Sequence, residues 1–295
     1  MRASVPECSP HRHSRRSARD DAVLHSSWRT PHDADTADHD TVHWAGIPVR
    51  VAAMFALFTD FTLHGPYVGQ MHAALHGHAP GVSVIDLMHD APPCDPRASA
   101  FLLEPFCRTL PKVTIVIAVV DPGVGTVRPG CAIQADGRWF VGPDNGLFEF
   151  VARRAETVNY WRLSEPVDAS PSFHGRDVFA PAAASLLRGE LPADGPFDGD
   201  RRMDVDWADD TPQVLYVDGF GNLMTGIRGR MLSDRAVLQA GEHRIARADT
   251  FGSVPRGGAF WYRNSSDLVE IAANQARADE LLGLARGAMV RLLRP

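Results

Sequence analysis

Lysine is almost missing from this chain: of 30 basic residues, all but Lys112 are arginine. Acids outnumber them, with 36 Asp and Glu giving a formal net charge of −6. A general nucleic-acid binder carries a strong basic excess, so that class of partner is set aside. Cysteine is scarce as well. Cys8, Cys94, Cys107 and Cys131 form no C-x-x-C pair and have no zinc-like spacing. That leaves no disulfide framework and no metal site to propose, and implies a reducing, cytoplasmic setting. No apolar run approaches the roughly 20 residues of a membrane span, so no membrane association is expected. The longest run, 113–120, has the length of a buried strand. Arg15-Arg16 has the form of a twin-arginine signal, but Asp20-Asp21 and His25-Ser26-Ser27 follow where an apolar stretch belongs, which argues against export.

What remains is ordinary globular material. A length of 295 residues with 44% hydrophobic side chains suits one large or two modest domains, with core enough to hold without staples. Residues 1–53 stand apart: they hold six of the thirteen histidines and no sustained apolar periodicity. Such a segment cannot bury enough surface to offset its ordering entropy and is expected to be disordered. Met54 stands where a start codon would serve. From there strand-like and helix-like patterns alternate: a strand at Met54–Thr59, a helix at 66–78, a strand at 82–87, a helix at 96–108 kinked at Pro105, and a β-branched strand at 113–120. This is an open, largely parallel α/β sheet over 54–195, completed by strands at 131–135 and 139–141 and a helix at 178–188. Pro, Gly and Asp mark 196–212 as a linker. Short strand-like runs at 214–217, 236–239, 243–246, 259–262, 268–272 and 288–293 predict a small all-β domain, a barrel or a sandwich, over 213–295.

Two acids fall where strands should end, Asp60 and Asp121. Open α/β sheets bind ligands at that edge, so both belong at the rim of one crevice, although either alone serves equally well as a turn cap. Asp121 opens Asp121-Pro122-Gly123-Val124-Gly125-Thr126-Val127-Arg128, whose glycines let backbone approach a ligand and whose arginine can return to the aspartate. It lacks the Gly-Lys-Ser/Thr element of a phosphate loop. Phe173-His174-Gly175-Arg176-Asp177 precedes a helix that Asp177 is expected to cap. A lone histidine there is more often structural, yet beside Asp121 and Arg128 it completes a cluster able to orient and deprotonate a water. Asp218-Gly219-Phe220-Gly221-Asn222 is either a plain hairpin turn with a core-plugging Phe220 or a carboxylate for a cation and an amide for a base edge. Asn264-Ser265-Ser266 and Asn274 are turn residues on the plain reading.

Individually these are modest signals; their order and wording are specific. Thr59-Asp60-Phe61 with Gly65-Pro66-Tyr67-Val68-Gly69, then 120–128, Gly142-Pro143-Asp144-Asn145-Gly146, 173–177, 218–222 and 264–274 together resemble the S-adenosyl-L-methionine hydroxide adenosyltransferases, relatives of the bacterial fluorinase and chlorinase. The resemblance runs over 54–295. It implies an α/β domain, a β-barrel, and a homotrimer with sites between subunits. The implied reaction is S-adenosyl-L-methionine plus water giving adenosine and L-methionine, with no cofactor. It also implies a water-activating triad of Asp121, Arg128 and His174, with Asp60 on the ribose hydroxyls. Asp218 would meet the methionine ammonium, Ser266 would lie near its carboxylate, Phe220 beside the adenosyl group, and Asn222 and Asn274 at adenine. Cys94 departs from the family, standing where relatives often carry a larger aromatic or His beside the ribose. Two other functions fit parts of the pattern: a halogenase on the same substrate, and a non-catalytic adenosyl-ligand binder. Neither a halide site nor a simple binder has use for Asp121, Arg128 and His174 together.

Overall fold

The computed structural model describes residues 53–191 and 205–293, together with strand backbones at 42–44, 47–49 and 193–196. Strands β1 (Val42–Trp44) and β2 (Ile47–Val49) pair antiparallel within the segment expected to be disordered. The rest of that expectation lies outside the described residues.

Seven strands form the sheet that carries the first cluster of interest: β3 (Met54–Thr59), β4 (Ser83–Met88), β5 (Thr114–Val119), β6 (Gly130–Ala135), β7 (Arg138–Pro143), β8 (Val158–Leu163) and β9 (Ala193–Pro196). Their order is β4-β3-β5-β7-β6-β8-β9. Pairings from β4 through β7 are parallel, whereas β6 pairs antiparallel with β7 and β8, and β8 with β9. The sheet is therefore mixed, not largely parallel. The reason is local. Asp136-Gly137 alone joins β6 to β7, both with positive φ (47° and 84°), and a two-residue turn of that kind joins only antiparallel strands.

Every residue of β5 is buried, because its alternate side chains enter two different cores. Ile115, Ile117 and Val119 pack with helices α1 (Tyr67–His78) and α4 (Ala180–Leu187). Val116 and Ala118 face α2 (Pro96–Cys107) and α3 (Glu149–Arg154). Each fully buried aliphatic side chain of this kind contributes about 1.5–3 kcal/mol. Asp95 caps α2 by accepting from Ala98 N at 2.9 Å, and Pro96 follows at the first helical position, where its missing N–H costs nothing.

Within each sheet of the C-terminal part the strands pair antiparallel: β10 (Thr211–Val217), β11 (Leu223–Arg228), β12 (Val237–Ala240), β13 (His243–Ala246), β14 (Ala259–Arg263), β15 (Leu268–Ala273) and β16 (Val290–Leu293), with the short helix α5 (Ala278–Leu282). Among the described residues these strands make two sheets, β10-β11-β15-β14 and β13-β12-β16, where the family resemblance implied one barrel. Isolated bridges, Gln213 to Met289 and Arg247 to Trp261, link their edges. Leu215 and Leu268 share the core of Phe101 and Phe150, which seats this part on the α2 and α3 face. Trp207, in the stretch read as linker, is held there too: Arg97 lies over its ring at 5.9 Å, and Arg153 donates to its carbonyl at 2.5 Å.

Candidate active site

In the parallel register Thr59 aligns with Val119, which carries Asp60 and Asp121 to the same sheet edge. Chain order reverses here, since β4 lies on one side of β3 and β5 on the other. Ligand crevices of open α/β sheets form at such a switch point. Asp60 accepts from the backbone N of Cys94 at 2.9 Å. Burial pushes the Asp60 carboxyl above its ordinary value, and the charge of nearby Asp121 adds to the rise. Cys94 is exposed, and its backbone adopts φ 54° in delivering that N–H.

Arg128 does return to Asp121. Its Nε donates to Oδ1 at 3.1 Å and its Nη2 to Oδ2, a two-pronged pair whose side chains are only 9% and 4% exposed. The same Nη2 lies 3.3 Å from His174 Nδ1, and Nη1 donates to the Pro129 carbonyl at 2.7 Å. The three residues named from sequence are thus one cluster. His174 immediately precedes a single π-turn, Gly175–Phe179, that runs into α4. Such wide turns are frequent at functional sites. Asp177 lies inside this turn, accepting from Arg176 and from Ser170 N, so it does not cap the helix. Gly125 locks the two loops together: with φ +74°, it leaves its missing Cβ 2.4 Å from the Pro171 carbonyl oxygen.

A second cluster lies in the C-terminal part. An open pocket of about 830 Å³ is lined by Asp218, Phe220, Asn222 and Ser266 among others, and every lining residue comes from the antiparallel sheets or their loops. Asp218 accepts from the backbone N of Phe220 and of Asn222, both at 2.9 Å, and from Asn222 Nδ2 at 2.9 Å. Phe220 is 80% exposed at the rim and does not plug the core. Asn274 is not among the lining residues; its Nδ2 donates to the Val254 carbonyl at 2.8 Å.

The comparisons match this division. The SAM hydroxide adenosyltransferase N-terminal domain matches residues 55–195 and the C-terminal domain of the same family matches 212–291. The chain belongs to this family. A Thermus thermophilus protein named (R)-S-adenosyl-L-methionine hydrolase is 41% identical over 254 residues, covering 80% of this chain and 97% of that one. One of the same name from Salinispora arenicola is 36% identical over 249 residues, covering 79% and 95%. The crystal structure of an uncharacterized conserved protein from Thermotoga maritima superposes with a TM-score of 0.72 at 28% identity, covering 82% and 100%.

Three features of this SAM hydroxide adenosyltransferase escaped the reading of its sequence. Glu270 is buried in the second pocket, where it accepts from Tyr262 Oη at 2.6 Å and Asn264 Nδ2 at 2.7 Å; burial pushes its carboxyl up and Asp218 adds to the rise. A chain of bonds, His72 Nε2 to Asp86 at 2.7 Å, Asp86 to His89 Nε2 at 2.9 Å, and His89 Nδ1 to Thr59 Oγ1 at 2.8 Å, supports the residue before Asp60. Glu165 lies 3.4 Å from His174 Nε2. Alternation within β4 and β15 hides the first two, and Glu165 lies in an irregular loop that carries no periodic signal. Among the described residues no helix is long and apolar enough to cross a membrane.

Proposed function

We propose that this chain hydrolyses S-adenosyl-L-methionine to adenosine and L-methionine by in-line attack of water on C5′. The observation that carries this reading is the buried Asp121–Arg128–His174 cluster at the sheet's switch point. The sulfonium is already a cationic leaving group, so expelling methionine needs no acid and no cofactor. What the protein must supply is a water held in line with the C5′–S bond and an acceptor for one of its protons. Positioning lowers the barrier by several kcal/mol, on the order of 7, and base assistance adds roughly 10²–10⁴ in rate. Asp60 grips the ribose hydroxyls, as a carboxylate can accept from both. Asp218 meets the ammonium, Ser266 the carboxylate, and Phe220 packs beside the adenosyl group. Asn222 and Asn274 give their Nδ2 atoms to Asp218 and Val254, which leaves each Oδ1 to accept from the adenine amino group.

The domains divide as 54–195, a 196–212 connection and 213–295, in keeping with family matches at 55–195 and 212–291. The two bridges between sheet edges support a barrel-like C-terminal domain. We place the enzyme in the cytoplasm as a homotrimer whose neighbouring subunits complete each site. The apolar Phe220 at the pocket rim supports the assembly.

A halogenase on the same substrate must desolvate an anion beside Asp121. A carboxylate about 4 Å away repels it by roughly 4 kcal/mol at an effective dielectric near 20, and Arg128 is already committed to that carboxylate. The test is incubation of pure protein with S-adenosyl-L-methionine in ¹⁸O-water and molar chloride. Adenosine carrying one ¹⁸O at the 5′ position, with L-methionine, is expected; 5′-chloro-5′-deoxyadenosine as main product would sink the hydrolase reading.

A further inference from the structure

The two ring nitrogens of His174 meet different neighbours. Arg128 approaches Nδ1 at 3.3 Å. A guanidinium only donates, so Nδ1 is the acceptor and the neutral ring carries its proton on Nε2. That nitrogen is buried without a hydrogen-bond partner. Buried donors rarely stay unpaired in native proteins. The Glu165 carboxylate stands 3.4 Å from it, on a side chain that is 56% exposed and free to turn the remaining distance. Other charges around the ring are engaged elsewhere: Asp121 pairs with Arg128, and Asp177 with Arg176.

We infer that Glu165 is a positioning residue for the hydrolysis proposed above, accepting the Nε2–H of His174 so that Nδ1 stays turned to Arg128 and holds the Arg128–Asp121 pair beside the attacking water. The inference rests on that reading of the reaction. A carboxylate behind a histidine fixes its tautomer and the orientation of its ring, and protonation of Nδ1 would displace Arg128. As the water oxygen bonds to C5′, the C5′–S bond breaks and its electron pair returns to sulfur. One water proton passes to the Asp121 carboxylate, whose oxygens keep lone pairs beyond those that Arg128 occupies. Sulfonium charge disappears in the products, so one proton must leave, and it passes from Asp121 to solvent.

Glu165→Gln keeps the shape and removes the charge. Two measurements are needed: ¹⁵N NMR titration of the His174 ring in ligand-free protein, and the pH profile of kcat and KM with S-adenosyl-L-methionine. In the variant the ring should titrate at lower pH and the acidic limb of kcat should move down with it. Plateau kcat should fall about tenfold while KM changes less than about twofold. Glu165→Asp should return the limb towards the wild-type position. An unmoved ring titration in Glu165→Gln overturns the assignment whatever the substrate, and a moved titration with an unmoved kcat profile overturns the positioning role. A moved titration in a protein whose wild type releases no adenosine leaves the Glu165–His174 contact standing and sinks the hydrolase reading.

Discussion

Asp60 does opposite things in the two states of its carboxyl. Ionised, it accepts the Cys94 N–H at 2.9 Å and offers its remaining lone pairs to ribose hydroxyls. Protonated, it is a poorer acceptor. Burial raises its folded value above that of an exposed aspartate, so the ionised form is lost as pH falls through that raised value, before ordinary surface aspartates titrate. Substrate affinity, measured by calorimetry down the acidic range, should weaken through the same window. In Asp60→Asn it should be weak and flat across that window. An unchanged pH dependence in the variant would assign the titration to another group. Asp60 and Asp121 were legible from sequence because a strand pattern ending in an acid places that acid at the sheet edge. Glu270 was not legible: it occupies a strand position that alternation assigns to packing, and only the structure shows Tyr262 and Asn264 satisfying it.

Loops, not strands, decide whether the catalytic cluster assembles. The 121–128 loop and the segment before His174 touch where Gly125 faces Pro171, with no room for a side chain. Gly125→Ala forces a left-handed φ on a residue with a Cβ, worth about 1–3 kcal/mol, and pushes that Cβ onto a carbonyl oxygen. Lower Tm with a larger fall in turnover than in substrate affinity is expected, since the loop carries Asp121 and Arg128. Wild-type turnover in that variant would mean that the loop contact does not position the cluster. At this scale the regular elements of the α/β part were readable, because buried strands and amphipathic helices leave a period. Less regular elements were not. Strand β8 reads Val-Asn-Tyr-Trp-Arg-Leu, whose adjacent aromatics break the two-residue alternation, β11 holds Gly226 in its middle, and the π-turn at 175–179 has no periodic signature. Strand β9 hid behind Pro192 and Pro196; a proline is tolerated there because β9 is the outermost strand of its sheet.

Across the whole molecule the two clusters belong to different domains, and the pocket holding Asp218 takes no lining residue from the α/β part. Large apolar side chains stand exposed beside both: Val127 at 98% and Leu63 at 72% near the triad loops, and Phe220 at 80% near Asp218. A contiguous exposed apolar patch marks an interaction surface, and the proposed trimer would cover these groups. If the site forms between copies, one subunit supplies Asp121, Arg128 and His174 and its neighbour supplies Asp218. This can be tested with two damaged proteins. His174→Ala keeps an intact pocket, and Asp218→Ala keeps an intact triad. Denatured together in equal amounts and refolded as closed symmetric oligomers, they place both good halves in about a quarter of the sites. Each variant refolded alone has none. Turnover in the mixture should therefore rise to roughly a quarter of wild type, at substrate levels where Asp218→Ala alone is unsaturated. If each site is built within one chain, mixing yields only the average of the two damaged proteins, and the proposed sharing of sites between subunits fails.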